Sequence, residues 1–242
     1  MTPVQPVLPS IHRLRCRKQM PRRPVGTAAV ARRASGAPRP AAYSSLDDLH
    51  RDIDACRVCS SFVKLTKPTR MLRGGMSRIM IVGEGPGRSE LKLGRAFAGQ
   101  SGKTLDRWLR ACGASTASPR HGVYLTSVIK CQCAPSGPYR EMAERCSVFL
   151  DAQIGIIKPQ LIITLGLRAY LALRFSKEPY SRALGHRYES SEYLLFTRHD
   201  HHFTLIVWPH PSGLNRQLND PATKNRLYGS FPLVAPFLAA VP

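Results

Sequence analysis

Residues 79–109 read IMIVGEGPGRSELKLGRAFAGQSGKTLDRWL, and their order decides the fold. The run opens with Ile79, Met80, Ile81 and Val82, apolar at every position. An apolar run without polar alternation predicts a strand covered on both faces. A loop follows with glycines at 83, 85, 87 and 94, two acids, Glu84 and Glu90, and one aromatic, Phe97. Residues 101–112 then place Leu105, Trp108 and Leu109 on one face at helical spacing. Strand, loop and helix in this order form the repeating unit of a parallel sheet between helical layers.

The rest of the chain extends that pattern. Residues 45–56 predict a short amphipathic helix, capped by Ser45, with Leu46, Leu49 and Ile53 inward. Strands are expected at 123–129 and 161–165, and helices at 140–157 and 167–174. Residues 193–197 and 203–208 suggest a hairpin around RHDHH. Asp220 and Pro221 have the residue types of a helix cap and first turn. The fold class expected is α/β, a three-layer αβα sandwich with a mostly parallel central sheet. Ligands of such sheets bind at the carboxyl ends of the strands. Three loops are expected there: GEGPG, VIKCQC and WPHPSGLN.

Composition adds a partner class. The 242 residues carry a formal charge of +21, which suits nucleic acid first and an acidic membrane surface second. Residues 1–44 are expected to form a disordered basic tail, and residues 45–242 the folded domain. Nine Lys or Arg and no acid lie before residue 43, and removing those nine from +21 still leaves +12. Such a leader also suits organelle targeting, or an over-long start with Met20 as the initiator. There is no apolar run for a secretory signal, and Lys158 interrupts the best candidate for a membrane span. Seven cysteines, an odd number, argue against a disulfide framework.

The GEGPG loop fits a dinucleotide poorly. Its spacing is not GxGxxG, Pro86 lacks an N–H donor, and Glu84 would repel a pyrophosphate. A carboxylate there suits a base that orients water, or a group that stabilises a cationic intermediate. A solvated turn with an incidental acid is the plainer alternative.

Three segments, GEGPGRSELKLGRAFAG, VYLTSVIKC and HPSGLN, together resemble the signatures of the uracil-DNA glycosylase superfamily. The resemblance is strongest to family 4, the iron–sulfur enzymes, and spans about residues 46–227 in unchanged order. It implies that Glu84 activates water, that Gly85 and Glu90 belong to the substrate-binding site, Glu90 in a supporting role, and that Phe97 stacks on the flipped base. It also implies that His210 donates to the leaving base, that Ser212 touches a phosphate, and that Leu214 wedges into the duplex. Breaking an N-glycosidic bond builds positive charge on the sugar and negative charge on the base. A carboxylate and a donor then stabilise opposite ends of the transition state. An extruded base needs an aromatic platform.

Cys56 and Cys59 form a CxxC at a helix end, with Cys131 and Cys146 further on. By chemistry alone the thiolates suit zinc or a [4Fe–4S] cluster equally. The resemblance implies iron–sulfur. Cys133 is an alternative third ligand. Cys16 and Cys112 are expected to be plain thiols, and His199–His202 a polar hairpin tip rather than a metal site.

One departure bears on the substrate. The family carries an asparagine where Ser127 stands, and one hydroxyl cannot present the paired donor and acceptor of an amide. The expected function is removal of uracil, or a related deaminated base, from DNA by a monomer in a bacterial cytoplasm, near the nucleoid. The alternatives are a glycosylase for hypoxanthine or xanthine, and a nucleic-acid-binding relative that has lost catalysis.

Overall fold

The computed structural model describes residues 43–62, 75–173, 178–189 and 201–239. Nearly all of the proposed tail, residues 1–42, lies outside them.

The first strand, β1 (Ile79–Gly83), is buried at every position. Its side chains alternate between two separate cores. Met80 and Val82 join Leu49 and Ile53 of α1 (Leu46–Ala55) and Met142, Phe149 and Leu150 of α4 (Tyr139–Ile157). Ile79 and Ile81 join Leu105, Trp108 and Leu109 of α3 (Gln100–Ala111) on the other face. That two-sided burial is the reason for the unbroken apolar run.

Strands β2 (Val123–Ser127), β3 (Leu161–Leu165) and β5 (Thr204–Trp208) run parallel with β1, and β4 (Arg187–Glu189) is antiparallel to β5. The sheet order is β2-β1-β3-β5-β4. Between β3 and β4 lie α5 (Leu167–Ala172) and α6 (Tyr180–Ala183). The second core is completed by Leu227 of α7 (Pro221–Gly229) and by Phe231, Val234 and Leu238 of α8 (Phe231–Ala239). Trp208 anchors α8 through an Nε1–H bond of 2.9 Å to Ser230 Oγ. The architecture is the expected three-layer αβα sandwich. No helix among the described residues is long and apolar enough to cross a membrane.

Two expectations change. The antiparallel partner of β5 among the described residues is Arg187–Glu189, a three-residue edge strand with two exposed charges. Residues 193–197 lie outside the description. The second strand ends at Ser127 rather than 129, because the chain folds over the end of β1. There Val128 N–H bonds Gly83 O at 3.0 Å and Ile129 N–H bonds Glu84 O at 3.1 Å. The apolar character of Val128 and Ile129 reflects burial beneath that loop, not sheet alternation. Helix α8 was not foreseen, since its composition is apolar all round and Pro236 lies inside it.

Candidate active site

Four parallel strands end on one edge, and each delivers a side chain or a glycine to it. Glu84 follows β1 and Ser127 closes β2, while Gly166 and Arg168 follow β3 and His210 follows β5. Between β1 and β5 lies β3, so those strands are about 9–10 Å apart. Gly166, at the end of β3, lies between Glu84 and His210. A Cβ on Gly166 would stand 3.1 Å from His210 Cβ and 3.5 Å from Glu84 Oε1. Gly166 also has φ +91°, a conformation that side chains disfavour.

Local hydrogen bonds define His210. The Ser212 backbone N–H donates to His210 Nδ1 at 3.2 Å, and Asn215 Nδ2 donates to the His210 carbonyl at 2.9 Å. An acceptor at Nδ1 leaves the proton of a neutral ring on Nε2. Burial lowers the pKa of His210 below its usual 6.5, while the charges of Glu84 and Glu90 act to raise it. The ring is therefore a neutral Nε2–H donor. Ser212 Oγ accepts the Leu214 N–H at 3.2 Å, and this turn holds Leu214 92% exposed at its tip.

Glu84 is half-buried. Its Oε2 lies 3.6 Å from Arg168 Nη1, and its carbonyl accepts from Tyr139 Oη at 3.1 Å. Arg168 stacks over the Tyr139 ring at 4.1 Å. Glu90 has a different part. Its Oε2 accepts the Gly87 N–H and its Oε1 the Ala98 N–H, both at 3.0 Å, so the carboxylate ties the loop across itself. Gly85 lies against Ile129, whose Cγ1 is 2.5 Å from where a Cβ would stand.

Phe97 is held in a left-handed conformation, φ 48°, which costs a non-glycine residue free energy. Its neighbours enforce it. Arg120, paired with Asp106 at 2.5 Å, donates to Ala96 O at 3.0 Å and to Phe97 O at 3.1 Å. Gly102 makes room for that carbonyl, since a Cβ there would sit 1.7 Å from Phe97 O. The Phe97 ring lies over Gly83, with Cζ 3.0 Å from a notional Cβ. Ser127 pairs with Gly83 in the β2–β1 register, so its side chain lies on the Phe97 side of the sheet. The hydroxyl of Ser127, in a residue 4% exposed, donates to Ile129 O at 2.7 Å.

Sequence reasoning missed Arg120, Tyr139 and Arg168. Arg168 carried a signal, because LGLR repeats the strand-then-glycine pattern of IVGE. Tyr180 was missed as well. Its hydroxyl is buried without a hydrogen-bond partner among the described residues, and its pKa is raised by burial and by the charge of Glu84.

The cysteines expected as ligands lie in or against the first core. Cys59, Cys131 and Cys146 are buried in the first core, with Cys56 packed against it. Burial raises the Cys131 thiol to about 12, with Cys146, Cys59 and Cys56 adding to the effect. Burial, then Cys146 and Cys56, raise Cys59 to about 11. Cys133 packs against the same core. It is raised by burial and influenced by Arg168, and its Sγ donates to Ala134 O at 3.4 Å. Cys112 is raised by burial alone.

The surroundings of the four thiols are cationic. Lys130 is buried, with Nζ on Thr126 Oγ1 at 3.1 Å and on Ser127 O, and its backbone N–H reaches Cys146 Sγ at 3.4 Å. Arg57 and Arg145 act on Cys131 and Cys59 to lower their pKa values. Burial favours the protonated form of Cys59 and Cys131, and the nearby cations would offset the charge of thiolates bound to a metal centre. Among the described residues, no three His, Cys, Asp or Glu side chains are already grouped for a metal ion. His201 Nε2 lies 2.6 Å from Pro159 O, and His199 and Asp200 lie outside the described residues.

A family model described as the uracil DNA glycosylase superfamily matches residues 73–230. Three proteins named Type-4 uracil-DNA glycosylase are similar to this chain. The one from Archaeoglobus fulgidus is 36% identical over 124 residues, 50% of this chain and 60% of its own length. The one from Pyrobaculum aerophilum is 40% identical over 131 residues, 53% and 64% respectively. The one from Thermotoga maritima is 43% identical over 95 residues, 38% and 47%. The matched stretch thus spans roughly half to two thirds of these relatives.

Proposed function

The chain belongs to the uracil DNA glycosylase superfamily, and we propose that it hydrolyses the N-glycosidic bond of uracil, or a related deaminated base, in DNA. The product is an abasic site for base excision repair. One observation carries this reading: Glu84 and His210 face each other across Gly166, with His210 Nε2–H available as a donor.

In this mechanism the base leaves the stack and rests against Phe97. The bond from C1′ to the base nitrogen lengthens, and the sugar gains positive charge. Glu84 stabilises that charge and orients a water, whose oxygen bonds C1′ while its proton is released. His210 donates a hydrogen bond from Nε2 to the base oxygen, where negative charge accumulates. A neutral donor suits this task, because it stabilises the anion without first surrendering a proton. Leu214, almost wholly exposed at its tip, is placed to fill the gap in the duplex. Ser212 contacts a phosphate and the basic surface supplies the rest of the affinity.

Cys56, Cys59, Cys131 and Cys146 would hold a [4Fe–4S] cluster, with zinc as the alternative. The cluster would cross-link the α1 end, the β2 loop and α4. The partner is DNA containing a damaged base, engaged by a monomer.

A specific observation favours a broader lesion range. The Ser127 hydroxyl spends its proton on Ile129 O, so it can offer the pocket only lone pairs. Such an acceptor reads a ring N–H, which uracil, hypoxanthine and xanthine share and cytosine and adenine lack. The test is incubation of anaerobically purified protein with uracil, hypoxanthine and xanthine oligonucleotides, followed by alkali. Strand breaks at uracil are expected. Tight DNA binding with no break at any lesion would instead favour the non-catalytic relative.

A further inference from the structure

We infer that Arg168 is a positioning residue for the Glu84 carboxylate, working through a stacked brace with Tyr139. The inference rests on the glycosidic reading of the site.

Arg168 stands in the first turn of α5, two residues past Gly166, at the end of β3, which none of the three recognised segments covers. Its guanidinium stacks on Tyr139 at 4.1 Å and reaches Glu84 Oε2 at 3.6 Å. The same tyrosine donates to the Glu84 backbone carbonyl at 3.1 Å. Residue 84 is therefore held twice by one stacked pair, at its side chain and at its backbone. The carboxylate oxygens acquire different neighbours. Oε2 faces Arg168, and Oε1 faces the gap at Gly166 opposite His210.

A carboxylate that must present one oxygen to a water gains from losing its rotational freedom, and small misplacements are costly to rate. The ion pair is partly exposed at both ends, 46% and 32%, so its direct contribution to stability is small. Its value is geometric. Arginine is required because a planar guanidinium can stack and pair at once, whereas an ammonium cannot. The competing role for a half-exposed arginine at this edge is a phosphate contact.

The test is single-turnover excision of uracil by wild type, Arg168→Ala, Arg168→Lys, Glu84→Ala and the Arg168→Ala/Glu84→Ala double variant. Affinity for uncleaved duplex is measured alongside. Arg168→Ala should slow excision about tenfold with affinity unchanged, and Arg168→Lys should recover little of it. In the Glu84→Ala background the same change should cost nothing more, since Arg168 acts through Glu84. Losses that multiply in the double variant would overturn the proposal. So would weakened binding with an unchanged rate, which would mark a phosphate contact. A wild type that excises no base would refute the functional reading alone. The brace is then read from the Arg168 side-chain Nε–H resonance of the full chain. Glu84→Gln and Tyr139→Leu should each shift it, and a resonance unmoved by both would refute the brace.

Discussion

Glu84 Oε1 and His210 Cβ approach the same point, the missing side chain of Gly166, at 3.5 and 3.1 Å. They are 126 positions apart in sequence, and β3 separates their strands. A Cβ there would press on His210 and touch Glu84, at a φ of +91° that side chains rarely adopt. The gap between an acid and a neutral donor is where a substrate's sugar–base bond would have to lie.

Changing Glu84 to Gln, or His210 to Ala, should lower single-turnover excision by about 100-fold or more. DNA affinity should stay near wild type, because phosphate contacts dominate it. Rates under enzyme excess and fluorescence anisotropy check the two halves. A Glu84→Gln variant as fast as wild type would remove the acid from the mechanism.

Ser127→Asn replaces a lone acceptor with an amide that both donates and accepts. Uracil excision should rise relative to hypoxanthine and xanthine in a lesion panel. Ser127→Ala should remove the acceptor and weaken discrimination between uracil and cytosine. Equal lesion profiles for all three proteins would show that this side chain does not face the base.

The neutral state of His210 links stability to acidity. Its pKa is lowered in the fold, chiefly by burial and against the pull of Glu84 and Glu90. Its contribution is complete above the ordinary value of 6.5 and is lost as pH falls from there through the lowered value, because the unfolded chain takes up the proton first. His210→Asn cannot titrate. Denaturant midpoints measured from pH 7.5 to 5 should therefore fall less for His210→Asn than for wild type.

The thiols separate by position. Cys131→Ala should lower iron content and solubility together, and Cys133→Ala should leave iron content unchanged, because Cys133 lies outside the influence shared by the other four. Metal analysis of anaerobic preparations decides this, and stoichiometric zinc without iron would favour the alternative metal.

Gly102→Ala would drive a methyl group to 1.7 Å from Phe97 O. The Phe97 turn or the start of α3 must shift, at a cost of about 2 kcal/mol or more. The melting temperature should fall. Excision should fall further than stability predicts, because the base platform moves with the turn.

The sequence by itself determined the sandwich and the outline of the site. Unbroken apolar runs such as 79–82 and 161–163 are a local consequence of burial on both faces, so they can be read without coordinates. Glu84 was legible for a related reason: it follows a strand, and parallel strands send their carboxyl ends to one edge, whereas Phe97 and His210 were singled out through the family resemblance. What only the tertiary structure decided are the relations across that edge. Arg168 meets Glu84 because β3 lies beside β1, and Arg120 grips the Phe97 carbonyl from 23 residues away. The Ser127 proton goes to Ile129 O, although the residue type alone allows either donor or acceptor. The burial of Cys59, Cys131 and Cys146 in one core, with Cys56 and Cys133 packed against it, depends on how the loop after β2 folds back over β1. A pattern along the chain encodes which faces are buried. It does not encode which side chains meet when separate strand ends converge, because that depends on strand order and on gaps such as Gly166.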